Sequence, residues 1–304
     1  MKILIVPLNW GLGHATRCIP LVQRYLDEGA EVVLGGTGDS LRLLQHHFPK
    51  LKSYSLAPLE LRYSAGNRQV LAMLRALPQL RRFARTNRRM VEELTAREQF
   101  DLIISDNCFG VYSMRCDSVY MTHQLHIMFP RPWRWLEPLA ERLHARTYAK
   151  YKEIWVPDYA TDADSPLGYT LSGELGHPKN IHVSNIHYIG PFSRFTPQPL
   201  QHSLPTYDNV AIISGLEPHR TMFENELRER FARSGESFIL YNGQSDIPEG
   251  VLLSAKRIIA RSGYSTIMDM HALGILDKAE LHPTPGQTEQ EYLARHIQSR
   301  LPIN

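Results

Sequence analysis

Cysteine is scarce in this chain, with three residues in 304, and Cys18, Cys108 and Cys116 share no metal-binding spacing and make no even set for a disulfide framework. That excludes a disulfide-stapled scaffold and a zinc-finger module, and it suits a reducing cytoplasm in which the three are buried small hydrophobes. Long apolar runs are missing as well. None approaches the roughly 20 residues that a membrane-spanning helix needs. The Met1-Lys-Ile-Leu-Ile-Val-Pro7 start has no cleavable leader pattern and reads as a buried first strand. Neither charge sign dominates, since the net formal charge is +3. With no nucleic-acid-reading module in view, nucleic-acid binding ranks low. What remains, 43% hydrophobic and 21% charged residues, is the composition of a globular protein with room for two domains.

Charge is unevenly placed along the chain. Residues 1–160 hold 22 Lys and Arg against 15 Asp and Glu, and the remainder holds 12 against 16. Much of the excess lies between Arg75 and Arg97, where Arg81, Arg82, Arg85, Arg88 and Arg89 interleave with Leu77, Leu80, Phe83, Met90 and Leu94. That pattern is a basic amphipathic helix. It suits equally an anionic membrane surface and the solvated face of a packed helix.

Short apolar runs alternate with helical periodicities, the pattern of doubly wound parallel sheets. Strands are expected at Lys2–Leu8, Glu31–Gly35, Leu102–Ser105, Val119–Thr122, Glu153–Val156 and Ile186–Ile189, with helices at Ala15–Glu28, Ser40–His47, Asn67–Arg97 and Trp135–Tyr151. A second series follows: strands Asn209–Ile213, Ser237–Tyr241, Arg257–Ala260 and Ala279–His282, with helices His219–Arg233, Tyr264–Leu273 and Thr288–Ser299. The fold class is therefore α/β, with two Rossmann-like domains facing a central cleft. Their spans are 1–192 and 208–304, and a Pro- and Gln-rich linker covers 193–207. The second domain is short for this class, with apparent gaps between Gly243 and Lys256 and after Arg300. Ligands in open parallel sheets sit beyond the carboxyl ends of the strands, so the loops there deserve the closest reading.

Two such loops lie in the second domain. In Arg261-Ser-Gly-Tyr-Ser-Thr-Ile-Met-Asp269 a Gly-containing turn opens a helix. Unpaired N–H groups at that helix start attract an anion, and Gly263 lets a phosphate approach the backbone. Asp269, less than two turns on, is placed to accept hydrogen bonds from ribose hydroxyls. In Pro283-Thr-Pro-Gly-Gln-Thr-Glu-Gln-Glu-Tyr292, Gln290 and Glu291 suit the hydroxyls of a hexose. Ser214-Gly-Leu-Glu-Pro-His-Arg220 follows the first strand of this domain; Gly215 is placed to meet a diphosphate and Arg220 to offset its charge. Glu217 reads equally as a cap.

The first domain opens with Asn9-Trp-Gly-Leu-Gly-His14-Ala-Thr-Arg17 after its first strand. A dinucleotide fingerprint fails here, because Thr16 replaces the third Gly and the second strand ends without an acid. Asp106-Asn107 and His123-Gln-Leu-His126 end two further strands. The two histidines read as partners of loop backbone more readily than as a metal pair, since no carboxylate or thiol companion stands near them in sequence.

These patches resemble the B-type, two-lobed, nucleotide-sugar-dependent glycosyltransferases, and in particular the branch around the bacterial N-acetylglucosaminyltransferase acting on the lipid-linked peptidoglycan precursor. An uncharacterised bacterial subgroup is similar at both the Asn9–Arg17 and Pro283–Tyr292 patches. The resemblance implies an inverting, metal-independent transfer from a UDP-sugar, with N-acetylglucosamine as the sugar and a glycan or lipid-linked hydroxyl as acceptor. It makes His14 the candidate general base, with Asp106 as the acidic alternative or partner. It places the donor diphosphate against Gly13, Ser214, Gly215, Arg220, Ser262, Gly263, Ser265 and Thr266, the ribose at Asp269, and the sugar at Gln287, Gln290 and Glu291. No metal or other cofactor is expected. A cytoplasmic enzyme peripheral to the membrane follows. The alternatives are a UDP-sugar 2-epimerase of the same fold and a catalytically degenerate nucleotide-sugar-binding protein.

Overall fold

A computed structural model of the protein describes residues 1–59, 69–195, 206–242 and 247–301. Residue contacts divide it into one unit of Met1–Trp10 with His14–Pro191 and another of Gly11–Gly13 with Phe192–Asn304. Most of the expected linker, 196–205, lies outside the described residues, as do 67–68 of the expected third helix and 243–246 and 302–304 of the expected gaps.

The first unit runs β1 (Lys2–Pro7), α1 (Gly13–Asp27), β2 (Glu31–Gly36), α2 (Gly38–His47), β3 (Ser53–Ser55), α3 (Gln69–Glu98), β4 (Leu102–Asp106) and β5 (Asp117–Met121). A 3₁₀ segment (Arg131–Leu136) then leads into α4 (Glu137–Tyr148), followed by β6 (Glu153–Val156) and β7 (Ile186–Tyr188). The seven strands form one sheet in the order β3-β2-β1-β4-β5-β6-β7, every described pairing parallel. Strand order reverses between β1 and β4, where Ile3 to Pro7 pair in register with Leu102 to Asp106. Such central strands are covered on both faces, which is why Ile3, Leu4, Ile5 and Val6 read as an unbroken apolar run and are fully buried.

α3 closes one face of this sheet. Phe83, Val91 and Leu94 join Leu4, Val33 and Ile103 in a single core cluster, while Arg81, Arg82, Arg85 and Arg89 stay exposed. The arginine-rich helix thus packs Phe83, Val91 and Leu94 in the core and keeps these arginines solvated, while Leu77 stays 36% exposed. Its fit against the turn after β4 depends on Gly110, where a Cβ would come within 2.0 Å of the Ala84 carbonyl oxygen. No helix among the described residues is long and apolar enough to cross a membrane.

The second unit contains β8 (Asn209–Ile213), α5 (His219–Ser234), β9 (Phe238–Asn242), α6 (Glu249–Ser254), β10 (Arg257–Arg261), α7 (Tyr264–Ala272), β11 (Ala279–His282) and α8 (Thr288–Gln298). Its parallel sheet has the order β11-β10-β8-β9. Ala211, Ile213 and Ile259 pack on Phe223, Leu227 and Phe231 of α5. Among the described residues this sheet has four strands, and α6 occupies part of the stretch that held no expected element.

Candidate functional site

The topological switch between β1 and β4 sets up the first cluster. Asp106 is the last residue of β4, and the chain turns sharply at Asn107, whose φ of 54° is left-handed, a conformation asparagine tolerates better than most residues. The turn is pinned: the Asn107 N–H donates to the Met121 carbonyl at 2.9 Å, and its Oδ1 accepts from the Tyr120 hydroxyl at 2.6 Å. Asp106 is left fully buried. From α1 come His14 and Arg17, one turn apart and so on one face of the helix.

Arg17 ties the cluster together. Its Nε donates to Asp106 Oδ2 at 2.7 Å and its Nη2 to Oδ1, a bidentate pair; Nη1 lies 3.0 Å from His123 Nδ1 and Nη2 lies 2.9 Å from His14 Nδ1. His14 Nδ1 is also 3.2 Å from Asp106 Oδ1. Burial by itself would raise the Asp106 carboxyl, but Arg17 and His14 outweigh it and hold it down at about 2. Burial lowers the His14 pKa, Arg17 and His123 add to the effect, and Asp106 opposes it. The imidazole is therefore neutral at neutral pH.

Two tautomers compete at His14. If Nδ1 carries the proton and donates to Asp106, Nε2 offers a lone pair and can accept a proton from a substrate. If Nδ1 instead accepts from Arg17, the proton sits on Nε2, which can only donate. Arg17 thus bears on both the charge and the tautomer of His14. Sequence reasoning passed over it, although its i, i+3 spacing from His14 was the available signal. Cys18 also faces Asp106, its Sγ 3.7 Å from Oδ2, and burial pushes its thiol well up, as expected of an inert cysteine. The His123–His126 pair does not converge. His123 faces Arg17, whereas His126 lies 3.7 Å from Glu137 and 3.5 Å from Glu141.

In the second unit, β10 ends at Arg261 and α7 starts directly after Gly263, which has no side-chain cap. A Cβ at Gly263 would meet only Thr266 Oγ1, at 3.9 Å, so the helix start is open to a close-approaching group. Ser265 and Thr266 occupy the first turn, half-buried. Arg261 has a framework role. It donates to the Pro283 carbonyl at 3.0 Å and the His219 carbonyl at 3.1 Å, with its guanidinium over the Phe223 ring at 4.0 Å. Ser262 Oγ donates to the Gln290 carbonyl at 2.8 Å, fastening the α7 turn to α8.

The expected sugar-contacting residues separate into two kinds. Gln290 Oε1 accepts from the Thr284 N–H at 2.8 Å, and Gln290 Nε2 donates to Gln287 Oε1 at 2.7 Å, so both amides shape the loop before α8. Glu291 is exposed. After β8, Ser214 leads into Gly215, whose φ of 105° belongs to glycine. Arg220 is held by Glu217 at 2.8 Å, and Glu217, one residue before the α5 N-cap Pro218, also accepts from the Thr221 hydroxyl at 2.9 Å and its N–H at 3.3 Å. Gly13 is the first residue of α1.

Asp269 faces Ser193, whose hydroxyl donates to Oδ1, and Arg194, whose Nε lies 3.5 Å from Oδ2. Burial raises its pKa more than Arg194 and Ser193 lower it. Neither Ser193 nor Arg194 carried a sequence signal, because they sit far from Asp269 in the chain and in no motif.

No family model matches the chain. A protein of Methanosarcina mazei named an uncharacterized glycosyltransferase is 24% identical over 334 residues, covering 98% of this chain and 83% of its own length. One of Methanosarcina acetivorans with the same name is 23% identical over 326 residues, covering 96% and 82%. Among solved structures, the calicheamicin glycosyltransferase CalG4 superposes with a TM-score of 0.55 at 12% identity, over 98% of this chain and 94% of its own. The spinosyn rhamnosyltransferase SpnG, complexed with thymidine diphosphate, gives 0.53 at 14% identity, over 99% and 91%. The fold is that of the B-type glycosyltransferases, and the sequence is similar to proteins that carry the glycosyltransferase name.

Proposed function

We propose that this protein is an inverting glycosyltransferase that moves a sugar from a nucleoside diphosphate donor, a UDP-sugar, to an acceptor hydroxyl without a metal ion. The observation that carries this reading is the buried His14–Asp106–Arg17 cluster at the strand-order switch, which presents a neutral imidazole beside a carboxylate. In the reaction, the acceptor oxygen forms a bond to the anomeric carbon as the bond from that carbon to the diphosphate breaks, and the acceptor proton passes to His14 Nε2. Asp106 then faces the imidazolium and steadies it. The open start of α7 at Gly263, with Ser265 and Thr266, suits the departing diphosphate, Arg220 supplies further positive charge, and Asp269 suits the ribose.

N-acetylglucosamine is the sugar we assign to this donor, with a glycan or lipid-linked acceptor on the cytoplasmic side. Thymidine diphosphate in the spinosyn enzyme makes the base the first point to test. The experiment is calorimetric titration of the protein with UDP, thymidine diphosphate and UDP-N-acetylglucosamine, repeated with Asp269→Ala, followed by product analysis with His14→Ala. Uridine-nucleotide binding that weakens at least tenfold in Asp269→Ala, with turnover lost in His14→Ala, supports the reading. Tighter binding of thymidine diphosphate would replace the base. Failure to bind either nucleotide would overturn the donor site.

A further inference from the structure

Glu141 lies within α4 with its side chain fully buried. An ionised carboxylate so placed is costly unless donors surround it. Its donors come from a distant loop: the Lys179 N–H at 2.6 Å, the Asn180 N–H at 3.1 Å and Asn180 Nδ2 at 2.5 Å. Two histidines also face it. His126 Nδ1 lies 3.5 Å from Glu141 Oε2 and has no hydrogen-bond partner among the described residues, while its Nε2 lies 3.7 Å from Glu137 Oε2. His144, three residues on and so on the same helix face, is buried, and the Glu141 charge opposes the burial that lowers its pKa to about 4.

Each histidine leads to the cluster at the end of β4. His126 belongs to the loop after β5, where the N–H groups of Leu125 and His126 both donate to the Leu175 carbonyl, at 2.8 and 3.0 Å. Three residues earlier in the same loop, His123 lies 3.0 Å from Arg17. By the other route, His144 Nε2 lies 3.2 Å from the Tyr120 hydroxyl, which donates to Asn107 Oδ1 at 2.6 Å, and Asn107 is the left-handed residue directly after Asp106. One buried carboxylate is thus the common origin of two chains of contacts. They finish on Arg17 and at Asp106, the two halves of the bidentate pair.

We propose that Glu141 is a positioning residue for the His14–Asp106–Arg17 cluster, holding the His123 loop against Arg17 through His126 and the Asp106–Asn107 turn through His144 and Tyr120; its effect on rate rests on the transfer reaction proposed above. Arg17 has only donors, so His123 Nδ1 accepts from it and the His123 proton sits on Nε2. Arg17 is then fixed from two sides, by its bonds to Asp106 and by its bond to His123. Loosening the His123 loop frees Nη1 and lets the guanidinium turn relative to His14, whose tautomer it sets. An apolar residue in place of Glu141 would fill the space but fix neither imidazole nor the Lys179–Asn180 backbone.

The test is side-chain NMR of the full-length protein with nitrogen-labelled histidine, which reads ring tautomers without turnover, beside urea unfolding and donor-consumption kinetics with UDP-N-acetylglucosamine. In the wild type His123 is expected as the Nε2–H tautomer. Glu141→Gln keeps an oxygen for the Lys179 and Asn180 N–H groups and removes the charge. It should mix the His123 tautomers and move the His14 resonances, with kcat lowered roughly 10- to 100-fold and KM changed by less than about threefold. His126→Asn should act first on His123 and Tyr120→Phe first on His14, each with a smaller loss of rate. Glu98→Gln is the control: that carboxylate is held by Lys2 at 2.9 Å and Lys52 at 2.7 Å near the opposite end of the sheet, so its loss should cost stability with both rings unmoved. If Glu141→Gln destabilises as Glu98→Gln does and leaves both rings unmoved, Glu141 is a structural residue and the proposal is overturned. Where Glu141→Gln does not fold, His126→Asn and Tyr120→Phe decide in the same way. Moved rings in a protein that consumes no donor would support the positioning and overturn the transfer reaction, so the two readings fail separately.

Discussion

Asp106 and Asp269 are both aspartates set beside an arginine, one in each unit, yet their surroundings act on them in opposite directions. Asp106 receives two guanidinium hydrogen bonds from Arg17, and its carboxyl is held down at about 2. Asp269 has the Ser193 hydroxyl, the Arg194 backbone N–H and an Arg194 guanidinium nitrogen at 3.5 Å, and its carboxyl is raised because burial outweighs them. Asp106 is electrostatically complete without any ligand. Asp269 still has something to gain, since further hydrogen-bond donors would favour its ionised form. Under the proposed function the first arrangement suits a preset catalytic group, and the second suits a binding group that a ligand completes.

Asparagine substitutions should therefore separate the two most strongly. Asp106→Asn leaves a buried guanidinium without its counter-charge, and a loss of about 3–5 kcal/mol in unfolding free energy is expected. Turnover should fall by roughly 10²–10⁴-fold as His14 loses its partner. Asp269→Asn removes a carboxylate that burial disfavours, so the free protein should keep or slightly gain stability, while nucleotide affinity drops by about 10- to 100-fold. Urea unfolding and calorimetry on both variants make the comparison. Equal destabilisation by the two would break it.

pH gives the next largest contrast, and the signs differ. The folded pKa of Asp106 is depressed, so its contribution to stability is present above the ordinary carboxylate pKa of 3.8 and is lost as pH falls through about 2. The folded pKa of Asp269 is raised, so its effect is a cost that appears as pH rises above 3.8 and through the folded value. Unfolding free energies measured from pH 2 to 7 should show a shallower acid loss in Asp106→Asn than in wild type. In Asp269→Asn they should show a stability gain growing with pH above 3.8.

Arg17 extends the contrast to catalysis. With Arg17→Met, the uncompensated Asp106 charge would favour imidazolium at His14, raising a pKa that burial and Arg17 now lower together. The acid limb of the kcat/KM profile should move up by about one pH unit, and Arg17→Lys should restore most of the shift by keeping the charge. Histidine NMR titration reads the same shift without turnover. A lowered rate with an unmoved profile would reduce Arg17 to a structural residue.

The sequence was a good guide wherever one local pattern carried the information. Asn209–Ile213 and Ala279–His282 are strands as expected, because buried parallel strands read as short apolar runs bounded by turn residues. β3, Ser53–Ser55, was missed because three residues, two of them serine, carry no periodicity. α6, of six residues, was missed for the same shortness. In the site, His14 and Asp106 were named and do meet, but Arg17, which joins them, was passed over, because its i, i+3 spacing from His14 gains meaning only once β4 and α1 are brought together. The arginine pattern of α3 left its partner open for a related reason: only the packing shows Phe83, Val91 and Leu94 in the core, with Leu77 still 36% exposed.

The finest test of the two aspartates acts on Ser193. In the free protein its hydroxyl occupies Oδ1 of Asp269, the carboxylate that a ribose hydroxyl is proposed to reach. If the site is held open for a ligand, Ser193 competes with the nucleotide for that oxygen, and Ser193→Ala should tighten nucleoside diphosphate binding by up to about fivefold. One neutral hydrogen bond is lost, so unfolding free energy should change by about 1 kcal/mol or less. Asp106 has no such competitor: its oxygens are held by Arg17 of the same cluster, and no variant there should improve ligand binding. Weaker binding in Ser193→Ala, measured by the same calorimetry, would mean that Ser193 orients the carboxylate. Asp269 would then be as preset as Asp106.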